Sequence, residues 1–243
     1  MIEDFLKYQA KTTPSPMGIE IANASGNYLY DVDGKSYLDF VAGVSACPLG
    51  HSHPKIIKAI QDQTNKYMHV MVYGEFAQAP AVKLCKKLVQ LLPENQEVVY
   101  LTNSGTEAIE GALKLAKRVT QRSGLIAAYQ SYHGSTHGAL SLLGNEKQKK
   151  AYRPLLPGVN FIAFNKESDL KKINKKTAAV LLETIQGGAG FIEPKDNYLK
   201  KVKERCNEVG ALLILDEIQP GFGRTGKMFG FENYDVSPDI VVM

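Results

Sequence analysis

The sequence predicts an α/β protein whose core is a mostly parallel β-sheet. From residue 97 onwards, short apolar runs recur along the chain, and helical stretches fall between several of them. Strands that alternate with helices in this way pack as a parallel sheet. The predicted strands are residues 97–101, 125–129, 159–163, 179–182, 211–215 and 239–243. The clearest helices are predicted over residues 106–120 and 198–209.

The region before this alternation predicts an arm that contains a β-hairpin. Residues 26–35 alternate apolar and polar side chains and then turn at Asp33-Gly34, which is the pattern of a hairpin. Pro54 suits the first turn of a helix, where no N–H is needed, and a helix is predicted over residues 54–70. A second helix is predicted over residues 80–92. We therefore expect an N-terminal arm, residues 1–53, and one large domain, residues 54–243.

Composition excludes several classes of function. The net charge is +4 at pH 7, and the lysines occur as scattered pairs, which indicate solvated helix faces and argue against nucleic-acid binding. The three cysteines form no CxxC pair, so a disulfide scaffold or a zinc site is not expected. The sequence shows no signal peptide and no long apolar run, so we expect a cytoplasmic protein without membrane contact.

Residues 103–108 form the first candidate binding segment. They follow a predicted strand and open a helix whose first N–H groups lack intrahelical partners, an arrangement that binds anions. Gly105 would let a phosphate approach the backbone, and the Thr106 hydroxyl would add a donor. The alternative is an ordinary capping box, since Ser104 and Glu107 have the S-x-x-E spacing. Taken alone, the segment favours that alternative.

A second candidate segment, residues 130–137, follows the next predicted strand. It places an aromatic ring and polar side chains at the carboxyl end of a strand, where α/β sheets bind ligands. Tyr132 could stack on a flat cofactor ring. His133 and His137 have the i,i+4 spacing of metal ligands on a helix, but no third ligand is evident. A polar loop with a packed tyrosine is the simpler alternative, and we expect no metal.

The strongest signal is residues 212–226. An apolar strand delivers Asp216 to its carboxyl end, and a loop rich in glycine follows. A carboxylate in that position is costly unless it pairs with a positive group. A protonated pyridine nitrogen is such a partner, and pyridoxal phosphate (PLP) sites use an acidic residue in this way. Magnesium binding of the Walker-B kind is the competing interpretation, weakened because no G-x-x-x-x-G-K-[ST] segment occurs.

These motifs, in this order, resemble the class III PLP-dependent aminotransferases, the family of acetylornithine, ornithine and 4-aminobutyrate aminotransferases. Residues 38–40 and 50–54 resemble the N-terminal signature of the family, and residues 103–108 resemble its phosphate loop. Residues 216–226 match its DE-x-Q-x-GFGRTG segment. The resemblance covers the whole chain and implies the large domain of PLP fold type I, in a homodimer.

The resemblance also implies roles for individual residues. Gly105 and Thr106 would bind the phosphate, Tyr132 and Ile218 would flank the ring, and Asp216 would pair with the ring nitrogen. Further implied contributors are Gln219 near the ring hydroxyl, Glu183 as a support of the site, Ser104 and His133 as cofactor-binding residues, and Phe76 on the substrate side.

The resemblance further implies transfer of an amino group from an amino acid or ω-amine to a 2-oxo acid such as 2-oxoglutarate. The Schiff-base lysine of similar sequences follows the strand at residues 239–243, so we expect this chain to be an inactive fragment without the C-terminal domain. Several positions depart from the family, including Val44, Gly188 and Pro220. Ser135 stands where acetylornithine-type members carry a carboxylate-binding arginine, and Thr184 replaces a proline. The alternative function is a non-catalytic binding or dimerisation module that keeps the fold.

Overall fold

The computed structural model of the chain describes residues 1–71 and 74–243, which form two compact units, Met1–Phe76 and Ala77–Met243. The first unit contains helix α1 (Ile2–Tyr8), strands β1 (Ile21–Ser25), β2 (Tyr28–Asp31) and β3 (Ser36–Leu38), and helix α2 (Pro54–Thr64). The three strands form an antiparallel sheet in the order β1-β2-β3. The hairpin predicted at residues 26–35 is present as β2 and β3, which turn at Gly34, where φ is +81°.

Helix α2 lies in the first unit, and the domain division after residue 53 stays a prediction from the sequence. The hairpin holds the residues just before this helix. Gly26 and His51 form a β-bridge, the Ser52 hydroxyl donates to the Ala24 carbonyl over 2.8 Å, and His51 Nε2 lies 2.7 Å from Asp39 Oδ2. The helix is also shorter than the predicted 54–70. It ends at Thr64, because the backbone N–H groups of residues 66 and 67 both turn back to the Gln63 carbonyl.

The second unit is an α/β layer structure. Its helices are α3 (Ala79–Leu91), α4 (Gly105–Thr120), α5 (His137–Ser141), α6 (Glu146–Lys149) and α7 (Tyr198–Val209). Its strands are β4 (Gly124–Ala128), β5 (Val159–Ile162), β6 (Thr177–Glu183), β7 (Leu212–Asp216) and β8 (Ile240–Val242), and short 3₁₀ helices cover Lys150–Tyr152, Glu167–Lys172 and Gly230–Tyr234. Within the described residues the strands pair in the order β5-β4-β6-β7-β8, all parallel. The predicted parallel sheet is therefore confirmed.

Apolar side chains cover both faces of this sheet. One cluster joins β6 and β7 to α7 and to Phe229 and Phe231, and the other joins the opposite face to α4 through Ile109 and Leu113. Strand β6 is buried along its whole length, as expected for a central strand between two helical layers. This burial fixes the carboxyl ends of β6 and β7, which carry the polar residues described below.

The prediction of a strand at residues 97–101 was wrong. The segment is not part of either sheet, and the side chains of Val98 and Tyr100 are 88% and 77% exposed. A short apolar run favours an extended backbone, but a strand also needs a neighbour whose N–H and C=O groups complete the ladder. Within the described part of the chain, no strand pairs with this segment, and β8 pairs only with β7.

Arg122 connects neighbouring chain segments at the end of the sheet opposite to the carboxyl ends of the strands. Its Nη1 donates to the carbonyls of Thr177, Val209 and Gly210 at 3.2, 2.8 and 2.9 Å. These carbonyls belong to the start of β6 and to the end of α7 with the residue that follows it. One guanidinium therefore joins three chain segments, including the one that carries Arg122.

Among the described helices, none combines the length and apolar character needed to cross a membrane.

Candidate active site

The site is built around Asp216, the last residue of β7. Its side chain is buried, and Oδ2 accepts a hydrogen bond from His133 Nδ1 over 2.9 Å. An ionised carboxylate only accepts hydrogen bonds, so the proton of this bond resides on Nδ1. Oδ1 accepts from the Ile218 N–H over 3.1 Å. A carboxylate offers about four lone-pair positions, so Asp216 keeps capacity for a further donor.

His133 lies in the loop between β4 and α5 and is buried. Its Nε2 has no hydrogen-bond partner among the described residues. The i,i+4 spacing of His133 and His137 does not fall on one helix, because His137 is the first residue of α5 and His133 precedes it. His133 is therefore positioned by the loop between β4 and α5 and by its hydrogen bond to Asp216.

Glu183, the last residue of β6, organises the neighbouring loops. Its Oε2 accepts from the Tyr132 N–H over 3.2 Å, and its Oε1 accepts from the Gly187 N–H over 3.1 Å. Burial raises the pKa of this carboxyl, whereas the nearby His133 and the two backbone hydrogen bonds lower it by less. Glu183 thus ties the loop that carries Tyr132 and His133 to the loop that follows β6.

Gln219 lies against this second loop. A Cβ atom placed on Gly187 would come within 1.6 Å of Gln219 Oε1, so only glycine leaves room for the glutamine there. The same Oε1 is buried without a hydrogen-bond partner in the described residues. Buried polar atoms are nearly always satisfied in folded proteins. The unsatisfied Gln219 Oε1 and His133 Nε2 therefore mark this region as a place where a polar ligand fits.

Ser104, Gly105 and Thr106 form the start of α4. Ser104 is the N-cap and its hydroxyl accepts from the Glu107 N–H over 3.3 Å, while the Glu107 carboxylate accepts from the Asn103 N–H over 2.9 Å. Half of the capping box therefore forms, and the return bond goes one residue earlier than the motif requires. The cap satisfies Glu107 and leaves the first N–H groups of the helix for another acceptor.

Ile218 joins this turn to the end of β7. A Cβ atom on Gly105 would lie 2.2 Å from Ile218 Cδ1, so the two residues are in direct contact. Ile218 and Tyr132 remain 40% and 55% exposed, and both offer apolar surface at the carboxyl edge of the sheet. The structure thus brings Gly105 together with Ile218 and Asp216, which lie far from it in the sequence. Phe76 belongs to the first unit, where it is exposed.

Two further residues at this edge escaped the sequence analysis. Glu110, on α4, accepts from Thr136, and its i+4 spacing from Thr106 was the available signal, since such residues share a helix face. Glu217 is fully buried and accepts from the Thr184 hydroxyl and from the N–H groups of Gly230 and Phe231. Burial raises its pKa. Its position directly after Asp216 places it on the other side of the strand end.

Thr184 gives a structural meaning to one departure from the family pattern. Its hydroxyl donates to the buried carboxylate of Glu217, and its N–H donates to the Asp216 carbonyl over 3.4 Å. The proline found there in similar sequences could supply neither donor. In this chain, therefore, the end of β6 is bonded more extensively to the end of β7.

A parallel α/β sheet with a buried histidine–aspartate pair and an open helix start at its carboxyl edge is an arrangement that suits an anionic, aromatic ligand. The comparisons specify the class. The family description "Aminotransferase class-III" matches residues 8–243, and the chain belongs to this family. The structural resemblance inferred from the motifs is thereby confirmed.

The acetylornithine aminotransferase of Clostridium acetobutylicum is 44% identical over 225 residues, which are 89% of this chain and 57% of the relative. The LysW-aminoadipate semialdehyde/glutamate semialdehyde transaminase of Sulfurisphaera tokodaii is 37% identical over 224 residues, covering 92% and 57%. The taurine:2-oxoglutarate aminotransferase of Bifidobacterium kashiwanohense, solved with PLP and glutamate, superposes with a TM-score of 0.90. It is 30% identical, covering 98% of this chain and 59% of its own. The chain thus spans less than two thirds of the length of these relatives.

Proposed function

We propose that this chain forms the PLP-binding part of an aminotransferase that moves an amino group from an amino acid or ω-amine to a 2-oxo acid. The observation that carries the proposal is the convergence of the Asp216–His133 pair and the Gly105 turn at one sheet edge, joined by Ile218. A negative charge for a cationic ring and an anion site for its phosphate are the two recognition elements that PLP needs.

The donor set fits this cofactor. The first N–H groups of α4 and its helix dipole suit a phosphate, and Tyr132 and Ile218 offer apolar surface for the two faces of a ring. The unsatisfied Gln219 Oε1 is an acceptor for the ring hydroxyl. Each of these groups lies on a segment that is anchored to β4, β6 or β7, so the site is organised before any ligand binds.

When bound, PLP supplies a cationic aromatic ring that withdraws electrons from the substrate α-carbon. Asp216 would keep the ring nitrogen protonated, because a nearby negative charge stabilises the charged form. His133 holds the Asp216 carboxylate in place through its Nδ1 proton. Glu183 acts one step further away: it fixes the backbone of Tyr132 and the position of Gly187, on which Gln219 rests.

Ser135 and Phe76 bear on the substrate side of the proposed site. Ser135 stands where an arginine would bind a substrate carboxylate in acetylornithine-type members, so we propose a donor that does not depend on that contact. Phe76 is proposed to lie on the substrate side, and 2-oxoglutarate is proposed as the acceptor. The homodimer and the cytoplasmic location remain predictions from the sequence.

The proposal is tested by comparing the binding of PLP with that of pyridoxal, which lacks the phosphate, by absorbance and fluorescence titration. We expect PLP to bind at least about tenfold more tightly, because charge-assisted phosphate contacts are strong. The natural-length protein should then convert an amino donor and 2-oxoglutarate into the corresponding carbonyl product and glutamate. Equal affinity for PLP and pyridoxal would contradict the proposal. Tight binding of PLP without any turnover would favour the non-catalytic module.

A further inference from the structure

We propose that Glu110 is a positioning residue that fixes the Thr106 hydroxyl and the phosphate turn by way of Thr136. The inference rests on the proposed function, because it concerns the same turn. It adds a residue that the cofactor need not contact. Glu110 lies one helical turn after Thr106 on α4, so the two side chains share a face of that helix.

The Glu110 carboxylate is the acceptor at the centre of a small network. Its Oε1 accepts from the Thr136 hydroxyl at 2.6 Å, from the Gly138 N–H at 2.8 Å and from the Ala139 N–H at 3.1 Å. A Cβ atom on Gly138 would lie 2.1 Å from Glu110 Oε2. The carboxylate therefore rests directly on this glycine, and both N–H donors belong to buried residues.

The network defines the direction of each hydroxyl proton. A carboxylate donates no hydrogen bond, so Thr136 must give its proton to Glu110. The Thr136 oxygen is then left as an acceptor for the Thr106 hydroxyl, which lies 2.7 Å away. Thr106 Oγ1 in turn accepts from the Thr136 N–H over 3.3 Å. The proton of Thr106 consequently points towards Thr136.

The direction of the Thr106 hydroxyl proton changes the role expected for this side chain. Its hydroxyl proton is engaged within the protein, so the phosphate would be held by the backbone N–H groups at the start of α4. The Thr106 side chain instead fixes the turn to the loop that carries Tyr132 and His133. Close packing supports this role, because a Cβ atom on Gly134 would lie 2.3 Å from Thr106 Oγ1. Glu110 therefore holds the phosphate turn and the ring-contacting loop at a fixed separation.

The test measures PLP and pyridoxal affinity in variants of the natural-length protein. Glu110→Ala should weaken PLP binding about tenfold, because two buried N–H groups and Thr136 lose their acceptor. Pyridoxal affinity should change less than about threefold, since the phosphate turn does not contribute to it. Glu110→Gln keeps an acceptor oxygen and should recover most of the PLP affinity. A merely structural role would weaken both ligands equally and would overturn the proposal.

Thr136 provides the matched pair of controls. Thr136→Ser keeps the hydroxyl and should bind PLP as the wild type does, whereas Thr136→Val should weaken PLP binding about fivefold. If Glu110 acts through Thr136, the effects of Glu110→Ala and Thr136→Val should not add in the double variant. Full additivity of the two effects would show that they act independently and would contradict the proposed route.

A separate measurement keeps this inference distinct from the proposed function. Amide hydrogen exchange of Gly138 and Ala139 should be faster in Glu110→Ala than in the wild type, whatever ligand the protein binds. Unchanged exchange at these two amides would overturn the proposed role of Glu110. If exchange accelerates but the wild type does not prefer PLP over pyridoxal, the network is supported and the proposed function fails.

Discussion

His133 Nδ1 lies 2.9 Å from Asp216 Oδ2, although the two residues are 83 positions apart in the sequence. Both side chains are buried, so the hydrogen bond holds the Asp216 carboxylate in one orientation at the end of β7. The His133–Asp216 pair therefore fixes the orientation of the carboxylate at this edge of the sheet.

Asp216→Asn keeps the shape of the side chain and removes the charge. We expect it to lower transamination in the natural-length protein at least about a hundredfold, since a preorganised charge at the reacting centre is typically worth that much. The unfolding midpoint should change little. The matched control is Asp235→Asn, whose carboxylate is exposed and pairs with Lys200. Residual Asp216→Asn activity above about a tenth of the wild type would refute the assigned role.

Gly105→Ala tests the contact between the phosphate turn and Ile218. The new Cβ atom would meet Ile218 Cδ1 at 2.2 Å, so the isoleucine side chain, which is proposed to flank the ring, must move. PLP binding should weaken about tenfold or more. The double variant Gly105→Ala/Ile218→Val lacks the clashing Cδ1 atom and should recover part of that loss. Fluorescence titration with PLP measures the affinity of the single and the double variant. If the double variant recovers no affinity, the alanine acts only by blocking the approach of the phosphate.

Glu183 makes stability depend on pH in a defined direction. Burial raises its pKa above the ordinary 4.5, so the folded protein retains a proton that the unfolded chain has already lost. The contribution of this group is therefore fully present below pH 4.5 and is lost as the pH rises through the folded-state pKa. The free energy of unfolding of the wild type minus that of Glu183→Gln should be larger at pH 4.5 than at pH 8.

Urea denaturation at several pH values measures this difference. Glu208→Gln is the control, because the side chain of Glu208 is 62% exposed and should show a much smaller pH dependence. A difference between wild type and Glu183→Gln that grows with rising pH would contradict the predicted direction.

The lysines of this chain are expected to remain unlabelled in a trapping experiment. No lysine among residues 1–71 and 74–243 forms a hydrogen bond or ion pair with Asp216, Glu183 or Gln219, and several are paired elsewhere, including Lys149, Lys172, Lys200, Lys201 and Lys203. Residues 1–243 incubated with PLP and reduced with borohydride should therefore show no stoichiometric label on one lysine. Mass spectrometry of the digest would detect such a label, and finding it would identify a lysine that the geometry does not favour.

Arg122→Ala should destabilise the second unit by about 2–3 kcal/mol, because three carbonyls lose a charged donor. Arg122→Lys keeps the charge but carries it on a flexible stem without the planar guanidinium, so it should recover only part of that stability. The urea midpoint reports both effects, while PLP affinity of the folded protein should be unchanged. Equal stability of all three proteins would show that water replaces the guanidinium.

The sequence was sufficient for the features that depend on local pattern. Strands β4 to β8 follow from short apolar runs, and α4 and α7 from helical periodicity, because a central parallel strand is buried on both faces. Asp216 could be singled out because a charged residue directly after an apolar strand needs a partner. The segment at residues 97–101 failed because its pattern does not reveal whether a neighbouring strand is present.

The sequence was not sufficient for contacts between distant loops. Three such contacts join residues on separate segments. They are the hydrogen bond from His133 to Asp216, the packing of Gln219 against Gly187, and the hydrogen bond from the Thr136 hydroxyl to the Glu110 carboxylate. Spacing along one element cannot reveal such contacts, since they depend on how the loops at the carboxyl edge fold over one another. The resemblance placed His133 and Gln219 near the cofactor, but only the structure shows what each of them touches.

The position of Arg122 has a consequence for the order in which the fold assembles. The carbonyls that it binds lie 55, 87 and 88 residues further along the chain. Contacts of such long range are expected to form late in folding, because the loop-closure entropy must be overcome first. Interactions absent from the transition state mainly retard unfolding. We therefore expect Arg122 to slow the unfolding of the native protein and to leave its folding rate almost unchanged. The contribution of this side chain would then be to kinetic stability.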